Sequence, residues 1–163
     1  MSRRVLVVDD EEAIVTGLMY LLETEEIESS GAHDRVSAES LMQSAFYPVI
    51  VADLRLHTEA EGLALLDGIR RISPRSRVVT LTGYSTPELE AEVRRRGSAI
   101  VIHKPALGPE ILAAVDDLLA EVEALAAGQE TLDLERLHLG LRKLLHSIPI
   151  KRYGLTARGE NER

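Results

Sequence analysis

Four consecutive apolar residues, Val5 to Val8, run directly into Asp9 and Asp10. A strand with one wet face alternates apolar and polar residues. A continuous apolar run belongs in a parallel sheet covered on both faces. The pattern returns three times. "VIVAD" is apolar from Val49 to Ala52 and closes on Asp53; "RVVTLTG" closes near Thr82; "AIVIHKP" carries Lys104 just past its apolar stretch. A weaker strand covers about Ile27 to Ala32. Between these runs the apolar spacing becomes helical. Ile14, Val15, Leu18, Leu21 and Leu22 share one face, and "RVSAESLMQSAF" makes the next helix. "GLALLDGIRRI" carries Leu63, Leu66 and Ile69 and stops before Pro74. "TPELEAEVRRRG" has Pro87 at its start and Gly97 at its stop, and "GPEILAAVDDLLAEVEAL" is the fifth helix. Strand and helix thus alternate five times, which predicts an α/β fold with a doubly wound parallel sheet and helices on both faces.

Composition narrows the class. The chain has 163 residues, 45% of them apolar, so a packed domain with an appendage is expected rather than disorder. It has no cysteine, which removes disulfides and Cys-based zinc sites. No apolar stretch approaches the roughly 20 residues of a membrane span, and the N-terminus turns acidic too early for a signal peptide. A cytoplasmic protein without a membrane partner is the expectation. Net charge is −8 but uneven: residues 1–124 carry 12 Lys and Arg against 22 Asp and Glu, whereas 125–163 carry 7 against 5. The basic stretch from Arg136 to Arg158 holds one aromatic, Tyr153, and so offers no platform for stacking bases.

In a doubly wound sheet, ligands bind beyond the carboxyl ends of the strands. Asp9 and Asp10 end the first strand, Asp53 the third and Thr82 the fourth, and Lys104 follows the fifth. Three carboxylates gathered at one edge repel one another. A hard divalent cation relieves that repulsion, and magnesium accepts one or two carboxylates, keeps waters and binds a phosphoryl oxygen. An ammonium at the same edge suits phosphate.

"VLVVDDEE", "VADL", "LTGY" and "HKP", in this order and each at a strand end, resemble the receiver domain of two-component response regulators, the CheY-like family. The resemblance covers about residues 3 to 124. It implies a flavodoxin-like sheet of order 2-1-3-4-5, with residues 1–126 as receiver and 127–163 as a helical extension and disordered tail. It implies that Asp53 takes a phosphoryl group from a sensor histidine kinase or phosphotransfer protein. Asp10, Asp53 and the backbone carbonyl of Arg55 would ligate Mg2+, with Asp9 acting through water. Lys104 and Thr82 would bind phosphoryl oxygens. Catalysis would be limited to self-phosphorylation and self-dephosphorylation.

Two departures from the family pattern stand out. Val101 occupies the position, three before the lysine, where the family usually carries Tyr or Phe. His57 stands where proline is usual, four after the aspartate, in a loop that reads one residue longer before Gly62. Magnesium prefers oxygen, so His57 is not expected to be a ligand. Tyr84 reads as a loop tyrosine and His103 as a surface residue. Gly128 should break the fifth helix, with Thr131 capping a further helix that ends at Pro149. Leu134, Leu137, Leu141, Leu144 and Ile148 space a two-heptad seam, suited to packing on its own receiver, to a homodimer or to a partner. No helix-turn-helix is present, so output is expected through a downstream protein rather than nucleic acid. A receiver-like scaffold that no longer switches is the alternative. An Asp-dependent phosphatase would need a second acid or a cap domain.

Overall fold

Residues 3–147 are described in a computed structural model, with side chains described as far as residue 128. Five strands, β1 (Arg4–Val8), β2 (Glu28–Ala32), β3 (Val49–Asp53), β4 (Arg77–Thr82) and β5 (Ser98–His103), form one sheet of order β2-β1-β3-β4-β5. Every pairing is parallel. Helices α1 (Glu12–Thr24), α2 (Arg35–Ser44), α3 (Glu59–Ile72), α4 (Pro87–Arg95) and α5 (Gly108–Ser147) alternate with them. The doubly wound parallel sheet expected from the apolar runs is therefore present, in the 2-1-3-4-5 order that the resemblance implies.

The continuous runs have a direct physical explanation. Val5 and Val7 face a core shared with α1 and α5, through Val15, Leu22, Ile111, Val115 and Leu119. Leu6 and Val8 face a second core shared with α2 and α3, through Ala38, Met42, Leu65, Leu66 and Ile69, with Val93 of α4. A central strand with a helix layer on each side has no wet face, so successive residues are all apolar. β2, at the sheet edge, reads ESSGA and is largely half-exposed, which is why its apolar signal is faint.

Chain contacts divide the protein after Ala126. The expected break at Gly128 is absent: α5 continues to Ser147, and among the described residues Gly97 is the only glycine at positive φ. A glycine stops a helix when it turns into the left-handed region at the C-terminus. Inside a run of Ala126, Ala127, Gln129 and Glu130 it costs about 1 kcal/mol of propensity, which good helix formers on both sides absorb. Thr131 thus lies inside α5 rather than capping a new helix, and the extra C-terminal helix is an extension of α5. The leucine seam falls where side chains are not described, and Ile148, Pro149 and the tail lie outside the described residues.

Helix α3 also differs from expectation. It begins at Glu59, three residues before Gly62, because Thr58 accepts a hydrogen bond from the Glu61 N–H at 3.2 Å as its N-cap. Its buried face centres on Leu65, Leu66 and Ile69, with Leu63 only half-buried. Gly62 is packed so closely that an added Cβ would lie 1.8 Å from the Leu54 carbonyl oxygen. That contact sets how the β3–α3 loop folds back beside Asp53.

Candidate functional site

The parallel register carries the strand ends to one edge, since Val8 pairs with Ala52 and Asp53 with Leu81. Asp9 leaves β1 with its N–H donating to the Ala32 carbonyl at 3.2 Å, and it is 1% exposed. Its Oδ1 accepts from the Glu11 N–H at 2.9 Å, so one oxygen is tied to the start of α1. Its Oδ2 accepts from Lys104 Nζ at 3.1 Å. Lys104 is held at the end of β5 by its own N–H, which donates to the Thr82 carbonyl at 2.7 Å. Its ammonium also lies 3.3 Å from Asp53 Oδ1. The expected position of Lys104 beside a phosphoryl group is thus occupied, in this state, by two carboxylates.

Asp53 is 5% exposed, and its Oδ1 has the Lys104 charge nearby but no hydrogen bond. Burial pushes its carboxyl above the usual range, Lys104 pulls it down, and Asp9 pushes it up again; the net direction is upward. Burial also works to lower the Lys104 ammonium. The hydrogen bond to Asp9 and the charges of Asp53 and Asp9 outweigh it, so Lys104 is held above its ordinary value.

Oxygens of Asp9, Asp10 and Asp53 lie within 4.8 Å of one another. An all-oxygen donor set, including a buried carboxylate oxygen without a hydrogen bond, fits a hard divalent cation. Arg55, whose carbonyl the sequence reading adds to that set, lies in the loop directly after β3 with an exposed side chain.

Thr82 is 4% exposed, and its hydroxyl donates to the Tyr84 carbonyl at 2.6 Å. Tyr84 itself is 72% exposed, in keeping with a loop tyrosine. A cleft of about 360 Å3 opens beside Thr82, lined by Leu54, Arg55, His57, Thr58 and Tyr84 among others. Val101 is half-buried against the core on the α2–α3–α4 side, so a small apolar residue fills the family's usual aromatic position. His103 is exposed and pairs with Glu90 at 3.0 Å.

Sequence reasoning missed two connections. Lys104 reaches Asp9 as well as Asp53, and His57 reaches Asp10. Neither contact has a local signature, because 95 residues separate Lys104 from Asp9 and 47 separate His57 from Asp10.

Residues 5–116 match the response regulator receiver domain family. The alginate biosynthesis transcriptional regulatory protein AlgB of Pseudomonas aeruginosa is 35% identical over 133 residues, which is 81% of this chain and 29% of that protein. The chain therefore spans less than a third of that relative's length. Among solved structures, the beryllofluoride-activated NtrC4 receiver domain dimer superposes with a TM-score of 0.68 at 31% identity, covering 74% of this chain and 98% of that one. A response regulator from Burkholderia pseudomallei, solved with a phosphorylated aspartic acid, a calcium ion and citrate, gives 0.66 at 27% identity, covering 87% and 85%.

Proposed function

The chain belongs to the response regulator receiver domain family, and from that premise we propose that Asp53 is its phosphoryl acceptor, served by Asp9, Asp10, Arg55, Thr82 and Lys104. The observation that carries this reading is a carboxylate only 5% exposed, set among two more carboxylates and an ammonium at the edge where the strands end. A structural ion pair would need one acid for one lysine; three acids around one ammonium leave negative charge to be met from outside.

An Asp53 carboxylate oxygen attacks the phosphorus of a phosphohistidine on a histidine kinase or phosphotransfer protein. The P–N bond breaks, and the departing imidazole nitrogen keeps the electron pair and takes a proton. Lys104 passes from its pair with Asp53 to a phosphoryl oxygen, as a charge-assisted hydrogen bond. Thr82 leaves the Tyr84 carbonyl and donates to a second phosphoryl oxygen. Asp10, Asp53 and the Arg55 carbonyl would hold magnesium directly, and Asp9 through water. When bound, that ion neutralises charge on the transferring group. The Burkholderia regulator carrying phosphoaspartate and a divalent cation supports the same pairing of groups here.

The test is labelling with phosphoramidate in magnesium. A mass gain that maps to Asp53 and disappears in Asp53→Asn is the expected result. Labelling that persists in Asp53→Asn overturns the acceptor. Val101 favours one second reading, a receiver-like scaffold that no longer switches. Phosphorylation of Asp53 that leaves the β4–α4 loop unchanged in NMR spectra would select it.

Output in this proposal runs through protein contacts of a cytoplasmic module, with a downstream target or a second copy of the chain as partner. Among the described residues no helix is long and apolar enough to cross a membrane. The expectation against a nucleic-acid partner concerns these 163 residues; the named relative is a transcriptional regulator and a longer protein.

A further inference from the structure

Among the described residues, Glu26 and His57 are the two non-glycine residues at positive φ, and His57 has φ of 58°. A side chain in the left-handed region is strained and persists only where its surroundings hold it. Here the Thr58 N–H donates to the Leu56 carbonyl at 2.6 Å and closes the turn around His57, and the contacts of His57 itself run to one atom. The His57 backbone N–H donates to Asp10 Oδ2 at 3.2 Å, and its imidazole Nδ1 lies 3.1 Å from the same oxygen. Asp10 Oδ1 receives no hydrogen bond from any described residue.

We propose that His57 is a positioning residue of the cation site: its main-chain N–H donates to Asp10 Oδ2 and its imidazole Nδ1 sits against the same oxygen, a clamp that keeps Oδ1 in place for the divalent cation. The imidazole is not itself a ligand. The oxygens of Asp9, Asp10 and Asp53 form a group within 4.8 Å that contains no His57 nitrogen, and the main-chain N–H of His57 is already committed to Asp10, with Nδ1 3.1 Å from the same oxygen. A neutral imidazole in the Nδ1–H tautomer suffices for the clamp. Ligand carboxylates are held in orientation by such outer partners, whose loss typically costs about 10- to 100-fold in metal affinity. The left-handed backbone is what lets a single residue bring its main-chain N–H and its imidazole Nδ1 to one oxygen. The role rests on the site proposed above for Asp10.

The experiment measures magnesium binding to the full chain by calorimetry for wild type, His57→Ala and His57→Asn. Alanine removes the side-chain donor and leaves the main-chain one, so magnesium binding should weaken about tenfold, the lower end of the outer-shell range. Asparagine carries its Nδ2 on Cγ, where histidine carries Nδ1, and it tolerates positive φ. His57→Asn should therefore bind close to wild type. Melting points of both variants in EDTA separate positioning from folding and should agree. Wild-type affinity in His57→Ala overturns the role, as does His57→Asn as weak as His57→Ala. Wild type that binds no magnesium overturns the Asp10 site itself, and this role with it.

Discussion

Asp53 and Asp9 share one ammonium, and the cost of that arrangement falls on Asp53. Its carboxyl is held above the usual range by burial first, against the pull of Lys104, with Asp9 adding to the rise. An acid raised in this way binds its proton more tightly folded than unfolded. Its contribution to stability is full below the unfolded value and falls as pH rises through the folded one. Metal-free Asp53→Asn should therefore be more stable than wild type at pH 7, with the gap shrinking toward pH 4. Urea midpoints in EDTA at the two pH values measure this; an equal gap at both would contradict the assignment. A second residue-scale prediction concerns Arg55 and Tyr84, which line the cleft beside Thr82. Neither is a carboxylate able to orient water, and both are large. Phosphorylated protein should lose its phosphoryl group slowly, and Arg55→Ala with Tyr84→Ala should accelerate the loss. Phosphate release that is fast in wild type and unchanged in the double variant would refute it.

At the scale of elements, the start of α3 is marked by its cap rather than by its apolar periodicity. Thr58 and Glu61 have the spacing of a capping box, and the Thr58 hydroxyl does accept from the Glu61 N–H. The apolar periodicity that placed this helix begins only at Leu63, so it could not mark the first turn. Thr58→Ala should destabilise the fold by about 1 kcal/mol, read by urea denaturation. Gly62 lies under the same turn. Its added methyl would meet Leu54 backbone, which is one residue from Asp53 and cannot swing aside. Gly62→Ala should cost roughly 1–3 kcal/mol by overpacking and also reduce labelling of Asp53, because relief of the clash moves the loop. Stability loss with unchanged labelling would show that the loop yields elsewhere. Gly128 makes the opposite point, since a glycine read as a stop sits within a continuous helix.

For the whole molecule, phosphorylation adds about −1.5 to −2 charge to an edge that already holds three carboxylates. In the proposed mechanism Lys104 and a bound cation offset it, and Thr82 would leave the Tyr84 carbonyl that its hydroxyl now meets. With Val101 in place of an aromatic, the change should travel through the Tyr84 loop into α4. A shift toward dimer is the expected outcome, measured by sedimentation with and without beryllofluoride; identical mass in both states would leave a heterotypic partner as the output. The activated NtrC4 receiver dimer supports testing self-association first. The sequence by itself determined the central strands β1, β3 and β4, because strands covered on both faces must be apolar at nearly every position. It also determined the polar residues of the edge, because each follows its apolar run directly. Only the tertiary structure decided how those residues pair. Lys104 with Asp9, and His57 with Asp10, meet through register and loop path across long separations, and the energy of such contacts depends on distances that no local pattern encodes. The reach of α5 past Gly128 was likewise decided in the folded chain, since propensity alone leaves a single glycine near balance between stop and continuation.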